Sequence, residues 1–134
     1  MTAIKHIEHD FCTMTLREDG VLEQRFVEDE PYEVTAEELI KFRESFLLIS
    51  NGVKLPMISI AGKQGSISAD ARDINISSRY TSALALVIVE LPQRLLSNFY
   101  FKIKKVDYPI KTFKTEEEAT EWLLQQTRMN QCVG

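Results

Sequence analysis

Cysteine is scarce in this chain of 134 residues, with two thiols at Cys12 and Cys132, and it carries five glycines, four prolines and one tryptophan. Two thiols near opposite ends are too few for a disulfide scaffold and lack the paired spacing of a zinc site, so they read as free thiols. No apolar run exceeds Ala83 to Val89, whereas a membrane helix needs roughly 20 residues, so no membrane span is expected. The first ten residues alternate charged and apolar side chains without the continuous apolar stretch of a secretory signal, which makes the cytoplasm the expected location. Basic charge is not in excess. Sixteen Lys and Arg against 20 Asp and Glu give a net charge of −4, so the electrostatic footprint for a phosphate backbone is missing and nucleic acid is not an expected partner. Missing too are a glycine-rich phosphate loop, a Cys-His pair and a serine beside a histidine base. The sequence therefore assigns no catalytic, cofactor-binding or metal-binding residue, and an enzyme is not expected.

What is present is ordinary for a globular protein, with 44% apolar and 27% charged residues and a length suited to one core. Cys12, Met14 and Leu16 alternate with Thr13, Thr15 and Arg17, the period of a half-buried strand. Asp19-Gly20 supplies a turn, and Val21 to Val27 returns with Leu22 and Phe26 on one face. Thr35-Ala36-Glu37-Glu38 forms a capping box, with Val34 and Leu39 spaced as a hydrophobic staple. Leu39, Phe42, Phe46 and Ile49 continue at helical spacing until Asn51-Gly52 offers a left-handed terminus.

Leu55 to Ala61 reads as a strand, Gly62 to Ser66 as a flexible loop, and Ser68 to about Tyr80 as a second helix. Ala83 to Val89 lacks polar alternation and is the expected centre of the sheet. Pro92 opens a third helix, with Leu95, Leu96, Phe99, Tyr100 and Ile103 on its broad apolar face. Ile110 to Phe113 is a short strand, Thr115 to Glu118 a second capping box, and Ala119, Trp122 and Leu123 the inner stripe of the last helix. The expected architecture is α/β: a mixed five-stranded sheet opening with a β-hairpin, then βαβαβα crossovers, with four helices. One domain spans residues 1–134, with flexibility expected at about 1–10 and 128–134.

In this order and spacing the chain resembles STAS-like domains, the group that includes bacterial anti-sigma factor antagonists and shares its broad architecture with lipid-transfer domains of the CRAL-TRIO type. The residues that carry the likeness are the hairpin around Asp19-Gly20, Thr35-Ala36-Glu37, Asn51 to Pro56, Ala71-Arg72, Asn98-Phe99, Phe113 to Ala119, and Trp122-Leu123. It looks closest to a bacterial branch of that group. The resemblance implies a hydroxyl side chain that accepts phosphate at the start of the helix after the third strand, and Ser66 and Ser68 occupy that region. The family's acid, two hydroxyl residues and glycine are replaced here by Ser66-Ile67-Ser68-Ala69-Asp70.

Each candidate also has a structural reading. Ser68 is suited to cap a helix through its side-chain oxygen. His6, His9 and Cys12 recur every third residue, but three ligands on one face would require a helix where a strand is expected. Asp70, Arg72, Asp73 and Arg79 form a charged helix face of a common kind. Phe99, Tyr100 and Phe101 are consecutive, so at least one of them should reach the surface, either as a rim of core packing or as a patch for dimerisation or an apolar ligand. The functional expectation is a regulatory or protein-binding module with a protein partner, a second copy of the chain being one candidate. The alternative is a carrier of a small apolar or lipid-like ligand, held between the sheet and the Leu95 to Ile103 helix.

Overall fold

A computed structural model of the chain describes residues 4–72, 81–103 and 108–133, with the side chains of 72, 99–103 and 129–133 outside that description. Its strands are β1 (His6–Glu8), β2 (Cys12–Leu16), β3 (Leu22–Phe26), β4 (Tyr32–Val34), β5 (Leu55–Ile60), β6 (Gly65–Ile67), β7 (Thr81–Val87) and β8 (Ile110–Phe113). The helices are α1 (Ala36–Ser50), α2 (Ala69–Arg72), α3 (Leu91–Ile103) and α4 (Glu116–Val133).

Local chemistry accounts for most of the boundaries. Gly20 takes φ +87° in the turn between β2 and β3, and the Asp19 carboxylate accepts from the Val21 N–H at 3.1 Å. The hairpin then pairs Cys12 with Phe26 and Leu16 with Leu22. Thr35 Oγ1 accepts from the Glu38 N–H at 3.3 Å, satisfying one of the free donors at the start of α1. At the other end Asn51 adopts φ +54° and returns its N–H to the Leu47 carbonyl. Replacing Thr35 with alanine should lower stability by about 1 kcal/mol in urea denaturation, because a free N–H loses its partner.

The main sheet has the order β1-β2-β3-β5-β7-β8. Its first three strands are antiparallel, and β3, β5, β7 and β8 are parallel. Every crossover from β3 onwards steps in the same direction, so right-handed connections place their helices on one face. Side chains follow. Cys12, Met14 and Leu22 meet Phe42, Phe46 and Ile49 of α1 in one core. Asn98 of α3 accepts a hydrogen bond from Thr112 of β8 at 2.7 Å, and Thr112 points away from its neighbour Phe113, which lies in the opposite core. Thus α3 shares a face with α1.

The opposite face has α4 to cover it. Val21, Ile58, Ala83, Ala85, Val87 and Phe113 pack there with Ala119 and Leu123. One helix about 10 Å wide covers roughly two strands at 4.8 Å spacing, and α4 lies over β5, β7 and β8. The same face of β1, β2 and β3 is polar, with His6, Glu8, Thr13, Thr15, Glu23 and Arg25 in register across it.

The α/β class, mixed sheet and four helices agree with expectation, but the sheet has six strands rather than five. The added strand is β1, whose single apolar residue Ile7 joins the α1-side core; so short a segment forms a strand because β2 offers it a free edge. It lies inside the first ten residues expected to be flexible. A second, two-stranded parallel sheet pairs β4 with β6, so part of the expected Gly62–Ser66 loop is extended and bonded. The apolar strand β7 is interior but not central, since β8 is its last neighbour. Its lack of alternation reflects cover on both faces rather than position in the order. The last helix continues to Val133 instead of ending near Thr127. Of the expected second helix, residues 73–80 lie outside the described residues. Among the described residues no helix is long and apolar enough to cross a membrane.

Cys12 is buried, and desolvation pushes its thiol up to about 11. A thiol raised above its unfolded value favours the folded state while protonated, so this contribution is complete below about pH 9 and is lost as pH rises towards 11. Native protein at pH 8 should therefore resist alkylation at Cys12, and denaturant should expose it. Stability should also fall between about pH 9 and 11, less steeply in Cys12→Ala.

Candidate functional site

Ser66 lies in β6 and donates its hydroxyl to the Tyr32 carbonyl at 3.3 Å. Ser68 follows, its N–H bonded to the Val34 carbonyl at 2.9 Å. Ser68 Oγ accepts from the Ala71 N–H at 3.2 Å and donates to the Asp70 carboxylate. That short bond holds the Asp70 carboxyl below the usual carboxylate range. Ser68 is therefore the cap of α2, and a phosphate on its oxygen would replace a hydrogen bond to Asp70 with the repulsion of like charges. Ser68→Ala should cost about 0.5–1 kcal/mol in urea denaturation, against less than about 0.5 kcal/mol for Ser66→Ala, whose hydroxyl caps nothing.

The spaced residues of the amino terminus do not converge. The His6 ring bonds Thr15 at 2.7 Å, His9 Nε2 bonds Ser45 at 2.9 Å, and Cys12 accepts from the Gln24 amide at 3.7 Å inside the core. Among the described residues no three His, Cys, Asp or Glu side chains gather as metal ligands would. Arg72, Asp73 and Arg79 have side chains outside the described residues, so the expected charged face is represented by Asp70.

An open groove of about 520 Å³ runs between α4 and the polar half of the sheet, lined by Arg17, Glu23, Glu116, Thr120, Leu124 and Arg128 among others. One of its cations, Arg17, is held by the chain's own acid, and two of its acids hold Arg25 beside it. Arg17 reaches Asp19 at 2.6 Å and Thr120 at 3.3 Å, and Arg25 reaches Glu116 at 2.6 Å and Glu23 at 3.4 Å. These contacts tie the hairpin to α4. The groove is open to solvent, and no residue of α3 lines it.

A further distinctive surface among the described residues is on α3. Arg94 donates to the carbonyls of Ile88 and Val89 at 3.3 and 3.2 Å, and Asn98, one turn later, holds Thr112. This ridge fixes which side of α3 faces the sheet. Leu95 and Leu96 lie successively about 100° and 200° around the axis from Arg94, and they are 59% and 70% exposed. Leu91 and Val89 add 55% and 64% exposure beside them. Sequence reasoning placed Leu95 and Leu96 on a broad apolar face without showing that tertiary packing leaves both uncovered. The sequence carried no signal for this, since Gln93, Arg94, Ser97 and Asn98 form a polar stripe opposite the leucines, a pattern that ordinarily turns the apolar face inward. The side chains of Phe99, Tyr100 and Phe101, of which at least one was expected to reach the surface, lie outside the described residues.

Residues 14–127 match a family model described as a domain of unknown function, DUF7793. No curated protein and no solved structure matches the chain.

Proposed function

We propose that this chain, which belongs to the DUF7793 family, is a non-enzymatic protein-binding module of regulatory type that presents the outer face of α3. The observation that carries the reading is the cluster of Val89, Leu91, Leu95 and Leu96, each more than half exposed. Together they present a few hundred Å² of apolar surface, the size of patch that marks interaction sites on monomers. The likeness to STAS-like domains supports a regulatory role in the cytoplasm. The carrier alternative requires an enclosed apolar volume beside α3, and the groove described above is open, charged and next to α4 instead.

The test is affinity capture from native extract with wild-type protein and with Leu95→Asp/Leu96→Asp in parallel, with mass spectrometry of bound proteins and of bound small molecules. Protein partners recovered with the wild type and lost with the variant are the expected result. A stoichiometric apolar small molecule without protein partners would overturn the reading in favour of the carrier.

A further inference from the structure

We propose that the occupant of the α3 face is a second copy of the chain, the two copies packing Leu91, Leu95 and Leu96 against each other about a twofold axis. The proposal rests on the protein-binding reading and commits it to one partner.

Charge distinguishes this face from the other helices. In a twofold contact each surface meets itself, so a charged face meets like charge while an uncharged apolar one meets no such penalty. The outer faces of α1 and α4 bear Glu37, Lys41, Glu117 and Glu121, on a chain whose net charge is −4. On α3, Arg94 is bonded back to Ile88 and Val89, and the other exposed side chains described, Leu91, Pro92, Gln93, Leu95, Leu96 and Asn98, carry no charge. Among the described residues of the patch the one exposed charge is Glu90, between Val89 and Leu91, so complementary charge offers a partner little to grip, whereas a copy of the same leucines fits it.

Geometry and area agree. Leu91 and Leu95 are one turn apart and form a ridge along the helix, and Leu96 widens it to the seam that two packed helices require. Two such patches face to face, with the rim around them, reach the roughly 1,000 Å² that separates a specific interface from a fortuitous contact.

Sedimentation equilibrium over micromolar to near-millimolar concentrations tests this directly. Wild-type protein should fit a monomer–dimer equilibrium, and Leu95→Asp/Leu96→Asp should weaken it by at least about 100-fold. Leu96→Gln, a neutral change at the most exposed of the three, should weaken it about tenfold. Leu48→Asp, at a site 60% exposed on α1, should leave association unchanged. Thermal melts of the variants establish that the fold is kept. A wild type that stays monomeric throughout, or a dimer that survives the double substitution, overturns the proposal. If the wild type is monomeric but captures other proteins that the double variant does not, self-association falls while the protein-binding reading stands.

Discussion

Replacing Gly62 with alanine should destabilise the fold by about 3 kcal/mol, seen as a lower urea midpoint with little change in slope. The added Cβ would be driven onto the Val27 carbonyl oxygen and against the edge of the Tyr32 ring. A backbone oxygen cannot swing aside. Nor can the ring move freely, because the Tyr32 hydroxyl accepts from the Gly62 N–H at 3.0 Å and the ring stacks against Phe26 at 4.9 Å and Phe11 at 5.3 Å. A Cβ at Gly65 would meet the far end of the same ring, so Gly65→Ala should show a related but smaller loss. Gly20 provides the contrast. Its surroundings are open and its φ is +87°, so alanine there should cost only about 1 kcal/mol, the usual penalty of the left-handed region. Equal losses at Gly20 and Gly62 would refute close packing around Tyr32.

The second large effect is expected at Leu123. This side chain is fully buried with Ala119 against the α4-facing sides of β5, β7 and β8, and Leu123→Ala should cost about 3–4 kcal/mol through lost transfer energy and the cavity left behind. Leu96→Ala removes the same atoms from a position 70% exposed and should change monomer stability by less than about 0.5 kcal/mol. The comparison is informative because the two residues are chemically identical and both lie on amphipathic helices. Measured on dilute protein, where association does not contribute, similar losses at the two sites would show that the outer face of α3 is buried after all.

Where local chemistry decides, the sequence was legible. The capping threonines Thr35 and Thr115 accept from Glu38 and Glu118 at 3.3 Å each, and both helices start where the boxes place them. The hairpin turn was legible from Asp19-Gly20, and the inner stripe of α4 from Ala119 and Leu123. The small β4–β6 sheet was not, because Tyr32–Val34 and Gly65–Ile67 lie 30 or more residues apart and neither has periodicity of its own. They pair because Gly62 and Gly65 allow the intervening loop to close over the Tyr32 ring. The candidate site divides in the same way. Ser68 could be read as a cap from its neighbours, but the exposure of Leu95 and Leu96 depends on which side of α3 Asn98 and Arg94 turn towards the sheet.

By itself the sequence determined the α/β class, the succession of most elements and their termini, since caps, turns and apolar periods act over a few residues. Only the tertiary structure decided the sixth strand, the sharing of one face by α1 and α3, the limited cover that α4 provides and the uncovered leucines of α3. These depend on strand order and on how many strands one helix can span, quantities set by contacts between segments far apart in the chain.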